Sequence, residues 1–343
     1  MARRLTRAVL MPMLAIMLML AGCIGGPQPG VNEPDQNIAS EPVTIRFSEV
    51  IRSIFYAPYY VAMSQGFFEE EGLILDMNTA QGSDKGAAAL IAGIADISLV
   101  GPETAIYIYN QQGDKTLKIF YQLTMKDGSF LMSREPADDF SWSRVEGRTI
   151  LGWRIGSAPQ MVLNSTLMRE GAHAEVVTNV AAPALPGAFA SGQGDFIQLF
   201  EPVALMLEQE GTAHYAASMG EAFGVFPETS FVATAAYIDR NPGIIQSFVH
   251  AVDKGRAWLK TASDAQIAAA LAPYFEGTSE DLIVQAVKRY QAQDTWPDHP
   301  ELTPEAFDIL QNVLVDNGVL KPEERIADMQ AVVDMRFVNK LGE

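Results

Sequence analysis

The chain has 343 residues, 48% of them hydrophobic and 19% charged, which is enough to bury the core of one large domain or two smaller ones. Asp and Glu number 42 against 24 Lys and Arg, a formal charge of −18 with no basic stripe; this excludes a nucleic-acid partner and is typical of a solubilising surface. The single cysteine, Cys23, excludes an internal disulfide, a cysteine-rich zinc site and an iron–sulfur centre.

The first residues have the layout of a secretory signal. Three arginines precede an apolar stretch over residues 8–20, which as a helix would rise only about 20 Å, short of the ~30 Å membrane core. The sequence Leu20-Ala21-Gly22-Cys23 resembles the bacterial lipobox, in which the cysteine sulfur is acylated before cleavage. We therefore expect residues 1–22 to be removed and Cys23 to be the lipidation site; an ordinary signal peptide with an incidental thiol is the alternative.

Residues 23–42 are rich in Gly and Pro and show almost no apolar periodicity, so they predict a flexible tether. The folded part then begins near Val43, held outside the cytoplasm and close to the membrane. From there, short β-rich runs alternate with helical stretches, a pattern typical of largely parallel sheets covered by helices. The predicted strands are 43–47, 73–78, 97–100, 117–123, 149–152, 175–179, 196–199 and 229–237; the predicted helices are 58–70, 84–92, 102–111, 158–170, 185–190, 202–209, 242–260, 280–291, 304–316 and 326–341.

Two parts of this pattern share a register. Three residues recur 99 positions further along the chain: Gly72, Gly93 and Asp96 return as Gly171, Gly192 and Asp195. The matching order of elements predicts two related lobes, the first made of residues 43–134 plus 230–343 and the second of residues 135–229. The chain then crosses between the lobes near 131–136 and near 226–230, which predicts a hinge and a cleft.

In open parallel sheets, the carboxyl ends of strands and the amino ends of the next helices meet at one edge, where unpaired N–H groups bind ligands. In the first lobe, Phe55 and Tyr56 precede the helix-opening Pro58, where a flat ligand can stack. Gly82 and Ser83 open the next helix, although Ser83 would cap that helix in any case.

Three acids are candidates for accepting a hydrogen bond from an amine or a heterocyclic N–H of a ligand. Glu103 lies in a first helical turn, where its charge would also favour the helix dipole. Asp127 follows a predicted strand near the hinge, where a turn is the alternative role. Glu201 holds in the second lobe the position that Pro102 or Glu103 holds in the first, so we expect Glu103 and Glu201 to face each other across the cleft.

The second lobe offers a helix start with unusual neighbours. Gly156 and Ser157 would bind an anion or a carbonyl, Trp153 would stack on a ring, and Arg154 would be a charge partner. A helix cap alone would explain Ser157 but not the tryptophan. Asn179, at the end of the next predicted strand, completes the candidate ligand-binding residues of this lobe.

Several segments resemble the solute-binding proteins of ABC importers for sulfonates, taurine and thiamine-pyrimidine precursors. The resemblance covers residues from Val43 to about Leu259, and it rests on the segments 56–62, 66–73, 92–97, 101–103 and 190–195. It implies a two-lobed, α/β periplasmic-binding-protein fold (type II), each lobe a mostly parallel sheet flanked by helices. It also implies a protein without catalysis, which delivers a small-molecule ligand to a membrane permease and its separate ATPase. We further expect a monomer without a cofactor.

The ligand class stays open at this point. The aromatics Phe55, Tyr56 and Trp153 with the three acids favour an aromatic heterocycle such as a pyrimidine or a flavin-type vitamin precursor. The alternative is a sulfonate or another small anion held by Gly82, Ser83, Ser157 and Arg154 or Arg52. A ligand sensor without transport is a further alternative. A pyrimidine-synthesis enzyme is disfavoured, because the chain has no cysteine besides Cys23, and no catalytic or metal-binding motif occurs.

Overall fold

The structure is a computed structural model that describes residues 41–342. The predicted signal segment, the lipidation site Cys23 and nearly all of the predicted tether lie outside these residues. Within the described part of the chain, no helix combines the length and the hydropathy that a membrane crossing requires.

Residues 41–342 contain ten strands: β1 (Val43–Glu49), β2 (Leu73–Thr79), β3 (Ile97–Val100), β4 (Leu117–Thr124), β5 (Ser129–Ser133), β6 (Thr149–Leu151), β7 (Glu175–Val177), β8 (Phe196–Phe200), β9 (His214–Ser218) and β10 (Thr229–Thr234). The same residues form thirteen α-helices: α1 (Ala57–Ser64), α2 (Phe67–Glu70), α3 (Ser83–Ala92), α4 (Glu103–Asn110), α5 (Ala158–Glu170), α6 (Leu185–Ala190), α7 (Val203–Gln209), α8 (Met219–Phe223), α9 (Ala235–Arg240), α10 (Pro242–Thr261), α11 (Asp264–Leu271), α12 (Glu280–Ala292) and α13 (Pro304–Asp316). Short 3₁₀ turns connect some of them.

The strands form two five-stranded sheets with the same topology. The first sheet has the order β2-β1-β3-β10-β4 and the second has the order β7-β6-β8-β5-β9. In each sheet the first three strands are parallel, and the fourth pairs antiparallel with both of its neighbours. This correspondence confirms the predicted two-lobed α/β fold.

The predicted repeat has a structural basis at two aspartates. Asp96 accepts the backbone N–H of Arg46 at 3.0 Å, and its own N–H donates to the Arg46 carbonyl at 2.8 Å. Asp195 makes the same pair of contacts with Thr149, at 2.9 and 2.8 Å. Each aspartate therefore ties the turn before a central strand to the neighbouring strand of its own sheet.

The first crossing between the lobes lies earlier than predicted. Residues 129–134 were assigned to the first lobe, but β5 pairs with β8 and β9 of the second sheet. The crossings are therefore residues 125–128, between β4 and β5, and residues 224–228, between α8 and β10. The strand that follows each crossing is the fourth strand of its sheet: β5 in the second sheet and β10 in the first. The two hinge segments therefore join the sheets at equivalent positions.

The predicted last helix, residues 326–341, is wrong. Its apolar residues are buried, but as an irregular segment that runs beside β4: Ile119 N–H donates to the Val332 carbonyl, and Asp334 N–H donates to the Ile119 carbonyl, both at 2.8 Å. Strand β4 is the edge of its sheet, so its outer backbone groups need partners. The segment supplies them, and its apolar spacing reflects this packing rather than a helical face.

The first lobe has an aromatic core between its sheet and the long helix α10. Phe231 of β10 packs edge-on against Phe248 of α10, with ring centroids 4.9 Å apart. Phe47 of β1 and Phe120 of β4 contact the same helix residue, at 6.1 and 6.0 Å. All four rings are fully buried, and this packing fixes the sheet edge from which the loops of the cleft project.

Candidate functional site

A cavity of about 410 Å³ lies between the two lobes. Its first-lobe wall comes from residues that follow β1, β2 and β3: Val50, Ile51, Tyr56, Gln81, Gly82, Ser83, Asp84, Lys85 and Gly101. Its second-lobe wall comes from residues that follow β6 and β7, and from the end of β8: Trp153, Arg154, Ser157, Ala158, Pro159, Val180, Ala181, Ala182, Pro183, Leu185 and Phe200. Glu228 and Thr229, at the second crossing, complete the lining.

Six of the residues predicted from the sequence border this cavity: Tyr56, Gly82, Ser83, Trp153, Arg154 and Ser157. The tryptophan is held by its indole N–H, which donates to the Gln198 carbonyl at 3.1 Å. Its ring meets Phe200 edge-on, with centroids 5.1 Å apart. Because the N–H is already used, the part of Trp153 left for a ligand is its apolar ring.

Some of the N–H groups at the two helix starts of the cavity are already used. At the start of α5, Gly156 N–H donates to Gln160 Oε1 at 3.0 Å, Ser157 N–H donates to the Arg154 carbonyl at 3.2 Å, and Pro159 has no N–H. At the start of α3, Gly82 N–H donates to the Val50 carbonyl at 3.0 Å, and Asp84 occupies the first turn. The N–H groups of Ser83, Asp84 and Lys85 have no acceptor among the described residues, so the start of α3 keeps donors, but the carboxylate of Asp84 in the same turn opposes an anion there.

The basic residues proposed as anion partners are already paired. Arg154 Nη2 lies 2.8 Å from Asp84 Oδ1, so an acid of the first lobe neutralises a base of the second. Arg52 does not border the cavity; its Nε lies 3.1 Å from Oε1 of the buried Glu49. The site thus lacks a free arginine among its described lining residues.

Phe55 is not at the cavity wall. Its ring is fully buried and packs against Phe200 at 5.4 Å and Tyr290 at 5.3 Å between ring centroids. The ring lies so close to Gly128 that a Cβ there would overlap it, so the glycine is required by this close approach. Phe55 therefore packs on the first crossing instead of on a ligand.

The predicted acids also differ from the expectation. Glu103 is buried behind Gly101, and burial raises the pKa of its carboxyl to about 7. Glu201 is fully buried and does not face it: Oε2 accepts the Leu205 N–H at 2.9 Å and Oε1 lies 2.8 Å from Arg289 Nη1. The carboxyl that the sequence placed opposite Glu103 is thus turned into the second lobe by a helix N–H and an arginine.

Two further predicted residues, Gly156 and Asn179, are near the cavity but do not line it. Gly156 accepts a hydrogen bond from the Tyr107 hydroxyl at 3.4 Å, and Asn179 is an exposed neighbour of Val180. Asp127 is fully buried in the first crossing, where its Oδ1 accepts the Ser129 N–H at 2.7 Å. Burial raises the pKa of Asp127 to about 7.

Sequence reasoning missed Glu228, a charged residue of the cavity. It is 5% exposed, and its Oε2 accepts the Gly128 N–H at 2.7 Å. Burial, followed by the charge of Asp127, raises the pKa of Glu228 well above its ordinary value. The available signal was its place inside the predicted crossing 226–230, directly before a β-rich run. The segment Val180–Pro183 carries no comparable signal, because its residues are small and apolar.

Comparison with known proteins agrees with this architecture. A family model described as NMT1/THI5 like matches residues 54–265. The chain is 38% identical over 280 residues to "Putative binding protein YtlA" of Bacillus subtilis (strain 168), covering 80% of this chain and 84% of that protein.

Solved structures share the fold. The alkanesulfonate-binding protein SsuA from Xanthomonas axonopodis pv. citri, bound to MOPS, matches with a TM-score of 0.69 at 16% identity, covering 86% of this chain and 100% of that one. The periplasmic nitrate-binding protein NrtA from Synechocystis PCC 6803 matches with a TM-score of 0.61 at 16% identity, covering 72% and 70%. These matches confirm the predicted fold and the resemblance to solute-binding proteins. From the match over residues 54–265, the chain belongs to the NMT1/THI5-like family.

Proposed function

We propose that this chain is the extracytoplasmic substrate-binding subunit of an ABC importer, which captures a small molecule by closing its two lobes and delivers it to a membrane permease. The observation that carries the proposal is the cavity between the lobes. Its walls come from residues that follow strands of both sheets, and two crossings connect the lobes. Closure of such lobes expels water from the ligand and changes the surface that a permease meets; periplasmic binding proteins are a known example of this motion.

The ligand class that the cavity suits best is an aromatic heterocycle. Tyr56, Trp153 and Phe200 give the walls flat apolar surfaces, and Glu228 is an acceptor at the base. Stacking on such rings and a hydrogen bond to a buried acid favour a flat ligand with N–H groups. A volume of about 410 Å³ is in the range of small-molecule sites.

A sulfonate or another small anion is the second candidate. It is supported by two of the structural relatives, which are described as binding an alkanesulfonate and nitrate. Against it stand the ion pair of Arg154 with Asp84, the position of Asp84 in the first turn of α3, and the occupied N–H groups of Gly156 and Ser157. The buried Glu228 adds a further cost for an anion in the same cavity.

We further propose that acylation of Cys23 anchors the protein to the membrane through a flexible tether. The lipobox-like sequence and the Gly- and Pro-rich residues after it support this anchoring. A single acyl chain binds a bilayer only marginally, so stable anchoring requires more than one chain on the modified cysteine. Anchoring would keep the binding protein near its permease.

The test is a thermal-shift screen of the purified full-length chain against pyrimidines, thiamine, riboflavin, taurine, alkanesulfonates and nitrate. A ligand at about 100 times its Kd adds about 2.7 kcal/mol, which raises the melting temperature by a few degrees. We expect a heterocycle to stabilise the protein and Trp153→Ala to remove the effect. Stabilisation by a sulfonate or nitrate alone would replace the first ligand class with the second, and a ligand whose binding ignores Trp153→Ala would contradict the cleft as the site.

A further inference from the structure

Glu228 occupies a special position in the hinge. It is the last residue of the second crossing, yet its Oε2 accepts the N–H of Gly128, the last residue of the first crossing, at 2.7 Å. Its own N–H donates to the Thr124 carbonyl, where the first crossing begins, at 3.3 Å. One side chain thus joins both crossings and also lines the cavity. A ligand that contacts Glu228 therefore contacts the hinge itself.

The carboxyl of Glu228 has capacity left for a ligand. Among the described residues it accepts one hydrogen bond, at Oε2, so Oε1 is the oxygen available on the cavity side. The side chain is 95% buried, since its exposed fraction is 5%. A donor on the ligand would give Oε1 the hydrogen bond that the described residues do not supply.

Within the described part of the chain, Glu228 has no basic partner, unlike Asp84 and Glu201. Asp84 is paired with Arg154 and Glu201 with Arg289, both at 2.8 Å. The charged neighbours that act on Glu228 are acids, Asp127 and Glu103. Among the residues that the structure describes, Lys85, at the exposed start of α3, also lines the cavity without a carboxylate partner, but no base acts on Glu228. A buried acid without a cation beside it favours a positively charged ligand.

We infer that Glu228 is the specificity-determining residue of the cleft, and that it selects an aromatic ligand bearing a protonated nitrogen, such as an ammonium or amidinium group, through a charge-assisted hydrogen bond to Oε1. This inference rests on the proposed function and deepens it by naming the charge of the ligand. The ring lies between Trp153 and Tyr56, and the cationic group points to the hinge. Because Glu228 already joins the two crossings, a ligand bound to Oε1 couples its charge to the hinge.

The protonation of the site gives this inference a second consequence. Burial and Asp127 raise the pKa of Glu228, with a smaller contribution from Glu103; the phenols of Tyr56 and Tyr290, from the two helical elements packed nearby, also lie within its electrostatic reach. The empty cleft therefore keeps a proton on this acid group at a pH where an exposed glutamate has lost it. A cation favours the ionised carboxylate, so its binding releases a proton and tightens as pH rises.

The test uses four probes that share one ring and differ in charge: benzamidine, benzamide, benzoate and benzenesulfonate. Isothermal calorimetry and thermal shifts are measured on the purified full-length chain. We expect benzamidine to bind most tightly of the four. We also expect it to bind more tightly at about pH 8 than at about pH 6, since its amidinium is charged at both values and only the protein titrates. Glu228→Gln keeps an oxygen for the Gly128 N–H but removes the charge, and we expect it to weaken benzamidine binding at least about tenfold.

The matched control is Glu210→Gln, which removes the same charge from an exposed residue outside the cavity and tests the general attraction of an acidic protein for cations. We expect it to leave benzamidine binding unchanged. The selectivity of the wild-type chain decides the question even where Glu228→Gln folds poorly.

Three outcomes would overturn the inference: tighter or equal binding of benzoate, benzenesulfonate or benzamide, full benzamidine binding by Glu228→Gln, or no binding of any of the four. Each leaves the proposed function standing, provided that some ligand of the wider screen still depends on Trp153. Loss of that dependence would remove the proposed function as well, so the two failures are distinguishable.

Discussion

Arg154 and Asp84 form an ion pair across the cleft, with Nη2 of one lobe 2.8 Å from Oδ1 of the other. Both side chains line the cavity, and both are partly exposed. Exposed pairs of this kind contribute only about 0–1 kcal/mol to stability, so the main effect of the pair is on the charge of the cavity. It neutralises the arginine that an anionic ligand would otherwise use.

Removal of Asp84 is therefore predicted to create an anion site. In Asp84→Ala the guanidinium of Arg154 is uncompensated, and we expect methanesulfonate to raise the melting temperature of the variant more than that of the wild type. Asp84→Glu, which keeps the charge, is the control and should behave as the wild type. Equal responses of wild type and Asp84→Ala would contradict the neutralising role of this pair.

Arg289→Ala is predicted to destabilise the fold. The mutation leaves the fully buried Glu201 without its cation, and loss of one partner of a buried pair costs about 3–5 kcal/mol. Burial already raises the pKa of Glu201, and Arg289 opposes that rise. Without the arginine, the pKa of Glu201 in the folded state rises further. The variant therefore keeps its stability at low pH, where Glu201 is protonated, and loses stability as the pH rises and Glu201 must ionise.

Urea unfolding at about pH 5 and about pH 8 tests this prediction, with the larger destabilisation expected at the higher pH. Arg289→Lys restores a positive charge and should recover part of the loss. A destabilisation of the same size at both values would show that the arginine acts through packing and not through its charge on Glu201.

Burial of Glu103 is predicted to make stability depend on pH. Its pKa is raised to about 7, so its contribution is complete below the pKa of the unfolded chain and is lost as pH rises through about 7. Glu103→Gln should reduce the fall in unfolding free energy between about pH 5 and about pH 8 by up to about 3 kcal/mol. Urea titrations of the wild type, this variant and Glu210→Gln measure it; identical pH slopes in all three would refute it.

A methyl group at position 128 is predicted to clash with the ring of Phe55. Gly128→Ala forces the two apart and should cost about 1–3 kcal/mol, since overpacking of a filled core displaces its neighbours. A double-mutant cycle with Phe55→Ala isolates the contact. We expect Gly128→Ala to cost less when the ring is absent, and an unchanged cost would locate the strain elsewhere in the crossing.

The anchoring proposal predicts that Cys23→Ser leaves the chain unlipidated. The serine oxygen does not replace the cysteine sulfur as the site of acylation, so the protein should move from the membrane fraction to the soluble fraction. Detergent phase partition of cells that express each form measures the change. If Cys23 is an incidental thiol, Cys23→Ser will divide between the membrane and soluble fractions as the wild type does, which would contradict the proposal.

Local sequence determined much of the fold, because some elements carry their own start and stop signals. Helix α5 runs over Ala158–Glu170 as predicted, with proline in its first turn and the left-handed Gly171 at its end. Helix α13 likewise follows its N-terminal Thr303, whose hydroxyl accepts the Ala306 N–H. Strands β5 and β9 were missed because their place in the second sheet depends on pairing partners remote in sequence.

The candidate site was likewise only partly predictable from the sequence. The sequence by itself placed Tyr56, Trp153, Arg154 and Ser157 near the cleft, since each follows a strand at the edge where ligands bind. Only the tertiary structure decided which buried acid lines the cavity. Glu201 is held away by an arginine 88 residues further along, whereas Glu228 is brought to the base of the cleft by the meeting of two crossings. Hydrogen-bond and charge partners select a side chain's direction, and here those partners come together only when the lobes fold.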